Sequence, residues 1–147
     1  MKLSTKGRYG LKAMYDLAVY EDLHEPISLK AIASNNNLSE QYLEQIFSKL
    51  KKSGLVNSVR GAQGGYVLSR SSKEITVGDI IRVLDGPIAP SMCLLEEAGP
   101  CISGKDCPTR AVWKKIKDSV DDVIDNITLY DMVIEHKLIK SDSILNG

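Results

Sequence analysis

Residues 39–65 read SEQYLEQIFSKLKKSGLVNSVRGAQGG, and this stretch decides the fold. Ser39 is a favourable N-cap and Gly54 is a favourable stop signal, so the pattern predicts a helix that runs to about Ser53. The apolar residues of this helix fall on one face, about 100° wide at 3.6 residues per turn. That face consists of Leu43, Ile46, Phe47 and Leu50.

The second half of the stretch predicts a β-hairpin. Residues 55–59 and 66–69 are rich in strand-forming side chains, and a glycine-rich tip at residues 60–65 separates them. Two such runs around a glycine-containing loop are typical of a hairpin. An amphipathic helix followed directly by a hairpin is therefore the centre of the predicted fold.

Two further helices are predicted before this stretch. The first runs from Lys6 to about Asp22 and ends before Pro26, because proline lacks the backbone donor that a helix needs. Ser28 is the N-cap of a short second helix, which ends in a turn at residues 35–37. Two short helices, a tight turn, a third helix and a hairpin describe a winged helix-turn-helix. In this motif the second helix of the pair enters the major groove of DNA.

The sequence after the hairpin predicts three more helices. Thr76 is the N-cap of a short helix that ends at Leu84, and residues 85–108 are irregular. A long helix then runs from about Pro108 to Asn126, and a last helix, with a capping box at its start, continues to about Leu138. The long helix carries a continuous apolar stripe, which consists of Val112, Ile116, Val120, Val123, Ile124 and Ile127.

The formal charge differs between the two halves of the chain. All 147 residues together have a formal net charge of zero, which alone argues against a nucleic-acid partner. Residues 1–70 carry 10 Lys/Arg against 6 Asp/Glu, however, whereas residues 71–147 carry 9 against 13. The first half is therefore the one suited to an anionic partner. No apolar run is long enough to span a membrane and no secretory signal is visible, so a cytoplasmic location is expected.

The polar face of the helix at 39–53 fits DNA recognition. Glutamine and glutamate side chains can bond to base edges, whereas lysine and serine side chains can reach phosphates. In the hairpin tip, arginine can enter a minor groove and glycines allow the backbone to approach phosphates. The predicted contacts are Ser39, Gln41, Tyr42, Glu44, Gln45, Ser48, Lys49, Lys52, Arg60, Gly61, Gly64 and Gly65.

The irregular segment holds all three cysteines, Cys93, Cys101 and Cys107. An odd number of cysteines in a reducing compartment argues against an internal disulfide framework. Thiolates are preferred ligands of iron–sulfur clusters and of zinc, and glycine-containing loops let spaced ligands converge. Zinc sites usually contain a tight C-x2-C pair, which this segment lacks, and free thiols remain an alternative.

Four motifs closely resemble the IscR/CymR family of bacterial winged-helix regulators. They are residues 3–9 (LSTKGRY), 42–50 (YLEQIFSKL), 54–61 (GLVNSVRG) and 64–66 (GGY). The resemblance covers about residues 1–140. It implies a mainly α-helical protein with a β-hairpin wing and a long C-terminal helix that forms a homodimer on a pseudo-palindromic operator of double-stranded DNA. It also assigns Tyr42, Glu44 and Gln45 to the major groove and Arg60 to the minor groove.

The pattern of elements along the chain predicts four regions. These are a DNA-binding domain at 1–84, a cysteine-containing sensor loop at 85–108, dimerisation helices at 109–140 and a frayed tail at 141–147. IscR-type members hold a 2Fe–2S cluster with three cysteines in this loop. CymR-type members lack these cysteines and respond to cysteine supply through a partner enzyme. The cysteines of this chain resemble the first type, whereas residues 78–88 resemble the second.

The fourth ligand of such a cluster is not evident. The IscR pattern has a histidine three residues after the last cysteine, where this chain has Arg110, and both histidines lie outside the loop. A related regulator uses an aspartate of the first helix, where this chain has Arg8. The alternatives are Arg110 itself, a group from the other subunit, or one of Glu96, Glu97 and Asp106.

The DNA-binding pattern and the cysteines are considered with three functions in view: two kinds of regulator and an enzyme. The first is a regulator, expected to repress, of iron–sulfur cluster assembly genes that senses through a cluster, expected to be 2Fe–2S, bound by the three cysteines. The second is a repressor of sulfur metabolism that acts through a cysteine-synthesis enzyme. The third, a thiol enzyme, is disfavoured because the loop has no histidine to activate a cysteine. We therefore expect a regulator and not an enzyme.

Overall fold

The computed structural model describes residues 2–95 and 107–146. Within these residues, three short 3-10 helices, Glu21–Leu23, Ser72–Glu74 and Met92–Leu94, join the main elements. The main elements in chain order are α1 (Thr5–Val19), α2 (Leu29–Asn36), α3 (Glu40–Lys52), β1 (Val56–Val59), β2 (Gly65–Leu68), α4 (Val77–Asp85), α5 (Arg110–Asp125) and α6 (Leu129–Asn146).

The helices begin where the sequence places their N-caps. The Ser39 hydroxyl accepts a hydrogen bond from the backbone N–H of Tyr42 at 3.1 Å. Thr76 and Asp79 form a capping box, since each side chain accepts from the other's backbone N–H at 3.1 and 3.0 Å. Thr128 does the same with the residue three positions later, at 3.0 Å in both directions. These side chains satisfy donors that a helix start leaves without partners.

Two helix ends differ from the prediction. The first helix ends at Val19 and not at about Asp22, because the chain tightens into a 3-10 helix that His24 ends in the left-handed conformation, with φ 53°. The last helix continues to Asn146 and not to about Leu138. Residues 139–146 contain no glycine or proline to stop it, so the described part of the expected tail is helical.

The hairpin is held against the helices by a backbone bridge and by aromatic stacking. Val56 pairs with Leu68 in the antiparallel register, and the two strands close on the glycine-rich tip. Ile27, just before α2, exchanges two backbone hydrogen bonds with Tyr66, at 3.0 and 2.9 Å. The Tyr66 ring also stacks on Phe47 of α3, with ring centroids 4.6 Å apart. The hairpin is thus positioned directly beside α3.

The main core lies between α1, α3 and α4 and is closed by α2, the hairpin and α6. All four apolar residues predicted for the inner face of α3 are fully buried in it. Burying side chains of this size contributes about 1.5–3 kcal/mol each. The largest buried side chains are Phe47, Met14, Ile32, Leu43, Ile46, Leu50, Ile75, Ile80 and Leu129.

The apolar stripe of the long helix α5 is divided between two surroundings. Val120, Ile124 and Ile127 pack on a second cluster formed by Val77, Ile81 and Ile88. The other three members are exposed, with Val112 at 49%, Ile116 at 37% and Val123 at 56% of full accessibility. At 3.6 residues per turn the six positions still form one continuous stripe, as predicted, and it is the surroundings of its two sides that differ. In the part of the chain described here, no helix is long and apolar enough to cross a membrane.

Candidate nucleic-acid interface and cysteine segment

The outer face of α3 is a continuous polar surface. Its inner face is anchored by four fully buried side chains, so the orientation of the helix is fixed. The capped N-terminus directs backbone N–H groups outward, and the positive end of the helix dipole favours an anion there. All predicted contacts on this helix and its cap except Tyr42 are exposed, namely Ser39, Gln41, Glu44, Gln45, Ser48, Lys49 and Lys52.

Tyr42 differs from its neighbours because it is half-buried. Its ring meets the edge of Tyr9 of α1, with centroids 6.2 Å apart and planes at 89°. This T-shaped contact is a favourable geometry for two aromatic rings. Tyr42 therefore joins α3 to the beginning of α1, in addition to the groove contact that the resemblance implies.

Lys6 of α1 lies beside Lys49 of α3, a contact that the sequence reasoning missed. The proximity of the Lys6 ammonium lowers the pKa of Lys49, whereas the carboxylate of Asp85 acts on that pKa in the opposite direction. Two adjacent ammonium groups favour an anion such as a phosphate. The residues are 43 positions apart, and only the resemblance of residues 3–9 to a known motif gave a signal for Lys6.

The tip of the hairpin contains two kinds of glycine. Arg60 and Gly61 are exposed, and Gly61 adopts φ 115° with open space around its Cα. Gly64 and Gly65 are half-buried, and a Cβ on either would overlap backbone atoms. For Gly65 these are the atoms of Ile27 that hold the hairpin in place. The structure therefore gives Gly64 and Gly65 a packing role, and Arg60 and Gly61 are the accessible part of the tip.

Cys93 lies in the short 3-10 helix Met92–Leu94, which contacts α5. It is half-buried, and its Sγ lies 3.3 Å from the hydroxyl oxygen of Ser91. Residues 86–92 connect it to α4, and Ile88 within them is buried in the second cluster. The position of Cys93 is thus set by the contact of its 3-10 helix with α5 and by the packing of Ile88 against α4.

Cys107 lies three residues before the start of α5. The hydroxyl of Thr109, 3.3 Å from its Sγ, lowers the pKa of this thiol, and the backbone N–H groups of Thr109 and Arg110 and the charge of Arg110 act in the same direction. A thiol whose pKa is lowered in this way has a larger thiolate fraction, which is the form that binds metals. Arg110, at the position where the IscR pattern has a histidine, therefore helps Thr109 to lower the pKa of Cys107.

The two described cysteines fit a thiolate-bound group, since both are partly accessible and the helix start favours negative charge on one of them. Cys101, Glu96, Glu97 and Asp106 lie outside the described residues. Within residues 2–95 and 107–146, no group of three or more His, Cys, Asp or Glu side chains is arranged to hold a metal ion.

The chain matches the family model Rrf2, described as an iron-dependent transcriptional regulator, over residues 3–135. It is 52% identical to the HTH-type transcriptional regulator CymR of Bacillus subtilis over 132 residues, which is 90% of this chain and 89% of that protein. The predicted resemblance is thereby confirmed.

Solved structures agree with the predicted fold. The structure of CymR, described as the global cysteine regulator of B. subtilis, matches with a TM-score of 0.78 and 49% identity, over 92% of this chain and 98% of that one. The structure of IscR from T. potens matches with a TM-score of 0.74 and 47% identity, over 92% of this chain and 88% of that one. The mainly α-helical winged-helix fold with a two-stranded hairpin is confirmed.

Proposed function

This chain belongs to the Rrf2 family of transcriptional regulators, and from that premise we propose that it reads operator DNA through α3 and the hairpin tip. The observation that carries the proposal is the two-sided character of α3. Four apolar side chains are fully buried on one side, and polar side chains are exposed along the other. An α-helix with one rigidly anchored face presents its other face to the major groove with a defined register.

Specific recognition comes from three side chains of α3. Gln41 and Gln45 can donate to and accept from base edges, and Glu44 can accept from the amino group of cytosine. Glu44 is exposed, and its carboxylate repels phosphates, so it favours only those sites that offer it a donor. This side chain therefore acts by excluding wrong sequences as well as by binding the right one.

Affinity comes from groups that contact the phosphate backbone. The contacts at this helix are its N-cap Ser39 and, on α3 itself, Ser48, Lys49 and Lys52. Arg60 with Gly61 forms the contact at the hairpin tip. Phosphate contacts fix the position of a protein on the duplex but carry little sequence information. Each cation that neutralises a phosphate adds close to one unit to the slope of log affinity against log salt.

The proposal includes a homodimer. Val112, Ile116 and Val123 are exposed apolar residues on α5, and a second copy of the helix would remove them from water. Two copies related by a twofold axis read two half-sites about one helical turn apart, so the operator is expected to be pseudo-palindromic.

Selection from a pool of random duplexes tests the DNA proposal directly. The expected result is enrichment of one pseudo-palindrome, with relaxed preference at a single base pair in each half-site for Glu44→Ala. Lys52→Ala is the matched control on the same helix. It should weaken binding to all duplexes alike and reduce the salt slope by about two units, one for each subunit of the dimer. Equal affinity of the original chain for selected and random duplexes would refute the proposal.

The sensor is proposed to be the cysteine segment, with an iron–sulfur cluster, expected to be 2Fe–2S, as the bound group. Cys93 and Cys107 fit as ligands from the described residues, and Cys101 is the third cysteine of the pattern. Such a cluster supplies sensitivity to iron supply and to oxidants. Thr109 and Arg110 favour the thiolate form of Cys107 just before α5. Ile88 packs the other end of the segment against α4.

Isolation without oxygen tests the cluster. Iron and acid-labile sulfide are expected together with visible absorption, and Cys107→Ser is expected to abolish all three. Ser91→Ala is the matched control, since it changes a side chain near Cys93 and removes no thiol. A colourless protein that contains neither iron nor sulfide, even after reconstitution, would refute this sensor.

The 52% identity to CymR of B. subtilis, with a solved structure described as the global cysteine regulator, favours a second candidate. In this alternative the chain represses genes of sulfur metabolism through a cysteine-synthesis enzyme and binds no cluster. It predicts a complex with that enzyme on a sizing column and operator binding that does not respond to iron. Iron-dependent operator binding without such a complex would exclude it.

A further inference from the structure

The carboxylate of Asp85 is bonded to the first turn of α1. Asp85 is the last residue of α4, and its carboxylate accepts hydrogen bonds from the backbone N–H of Ser4, at 3.0 Å, and from the Ser4 hydroxyl. That hydroxyl in turn caps α1 by accepting from the N–H of Gly7 at 3.0 Å. A Cβ on Gly7 would overlap the Asp85 carboxylate, so only glycine allows this approach.

This turn of α1 adjoins the proposed DNA-binding face of α3. It carries Lys6, which lies beside Lys49 of α3, and Asp85 exerts an opposing electrostatic effect on Lys49. A carboxylate at a helix N-terminus is also favourable for the helix dipole. The position of Asp85 therefore affects both the order of the first turn and the field at the lysine pair.

Asp85 also directly precedes residues 86–95, the described part of the cysteine segment that follows α4. The next residue, Gly86, leaves the helix with φ 78°, a positive φ that favours glycine, and its N–H donates to the carbonyl of Arg82 at 2.9 Å. Ile88 follows as a buried residue. Only these few residues separate Asp85 from the short helix that holds Cys93. Hydrogen bonds weaken steeply with distance and angle, so a small displacement of the segment would break those to Ser4.

We infer that Asp85 is the positioning residue through which the cysteine segment and the DNA-binding face affect each other. This inference rests on the proposed DNA-binding function and adds Lys6 to its phosphate contacts. When Asp85 is bonded to Ser4, the first turn of α1 is fixed and the Lys6–Lys49 pair is held at the phosphate backbone. When the segment moves, Asp85 leaves Ser4, and the pair loses its fixed position. By linkage, DNA bound to the lysine pair must in turn stabilise the segment.

Amide hydrogen exchange of residues 86–95, measured with and without the selected operator duplex, tests this coupling. DNA is expected to slow exchange in this stretch of the original chain several-fold. Asp85→Asn removes the charge of the acceptor and should abolish the DNA-dependent change while the duplex still binds. Asp79→Asn is the matched control, because it removes a capping carboxylate at the other end of α4 and should behave as the original chain does.

The possible outcomes distinguish a failure of the coupling through Asp85 from a failure of DNA binding. If the original chain binds the duplex but residues 86–95 exchange equally fast with and without DNA, the inference is wrong and the DNA proposal stands. If Asp85→Asn retains the full effect, the inference is also wrong. Ser4→Ala removes the hydroxyl on the other side of the same contact, and it must reduce the effect even if Asp85→Asn fails to fold. Absence of duplex binding by the original chain would instead refute the DNA proposal.

Discussion

Replacing Arg82 with alanine is expected to destabilise the chain by releasing α5 from α4. Arg82 reaches from α4 to Asp125 with Nη1–Oδ1 at 2.5 Å and Nη2–Oδ2 at 3.0 Å, a two-pronged arrangement. Its Nη2 also lies 3.0 Å from Oδ1 of Asp121, and Lys117 donates to the other carboxylate oxygen of Asp121. These bonds join residues 39 and 43 positions apart, so they act on the packing of two helices and not on local helix stability.

The expected magnitude is about 1–2 kcal/mol. A hydrogen bond between charged groups contributes about 1.5–3 kcal/mol when it is protected from water, whereas an exposed ion pair contributes about 0–1 kcal/mol. The Arg82 side chain is 35% exposed, and those of Asp121 and Asp125 are 24% and 43% exposed. The site therefore lies between the two cases. For a chain of this size, such a loss lowers the melting temperature by about 3–6 °C.

Urea and thermal unfolding at one fixed protein concentration measure this loss. Arg82→Lys should recover less than half of it, because an ammonium group cannot make the two-pronged contact. Arg70→Ala is the matched control, since Arg70 makes a more exposed pair with Asp79 at 3.5 Å and should cost under about 1 kcal/mol. A double-mutant cycle with Asp125→Asn isolates the pair. A coupling below about 0.3 kcal/mol, which is the usual error of additivity, would refute the reasoning.

The pH dependence of the same comparison follows from Asp121. Partial burial raises the pKa of Asp121, but hydrogen bonds from Lys117 and Arg82 outweigh it, so the pKa is lowered from its ordinary value of 3.8. A carboxyl group with a lowered pKa in the folded state stabilises the fold above its unfolded pKa and loses this contribution as pH falls through its folded pKa. The difference between the original chain and Arg82→Ala should therefore be full above about pH 5 and shrink below pH 4.

Three further changes have distinct expected results. Gly65→Ala should destabilise the hairpin by more than about 1 kcal/mol in urea unfolding, because a Cβ there meets the carbonyl of Ile27 and φ is 155°; unchanged stability would show that the hairpin moves freely. Arg60→Ala should weaken operator binding by about 1–3 kcal/mol in fluorescence anisotropy, and an unchanged affinity would exclude a groove contact. Thr109→Val removes the largest cause that lowers the pKa of Cys107, so the thiolate fraction near pH 7.5 should fall. Iodoacetamide should then alkylate this thiol more slowly, which mass spectrometry of its peptide can measure. An equal rate would contradict the assigned cause.

The sequence is sufficient to predict features that depend on neighbours in the chain. Ser28, Ser39, Thr76 and Thr128 each lie next to the helix that they cap, and the structure has a helix after every one of them. The buried face of α3 follows from its period in the same way. The end of α6 was mispredicted because no residue there stops a helix, and fraying had been expected from position alone.

Contacts between distant residues were not predictable in this way. The bond between Ser4 and Asp85 spans 81 positions, and neither residue has an unusual local pattern. The same holds for Lys6 beside Lys49 and for Arg82 beside the aspartates of α5. In each case the partner depends on how the helices pack, which one sequence without a three-dimensional arrangement does not specify. The division of the α5 stripe into a packed side and an exposed side depends on the same packing.

The distribution of ion pairs explains how a chain with no net charge can bind an anion. All five salt bridges among the described residues lie between Arg70 and Asp125, where acidic residues are in excess. One joins Arg70 to α4, two join α4 to α5, and two lie within α5. Within the described residues, none of these bridges includes a lysine of α3. The acidic charges are thus partly neutralised where they lie, whereas the lysines of α3 remain available. Since the field at short range depends on unpaired charges and is screened beyond about 8–10 Å, the local excess and not the total decides binding.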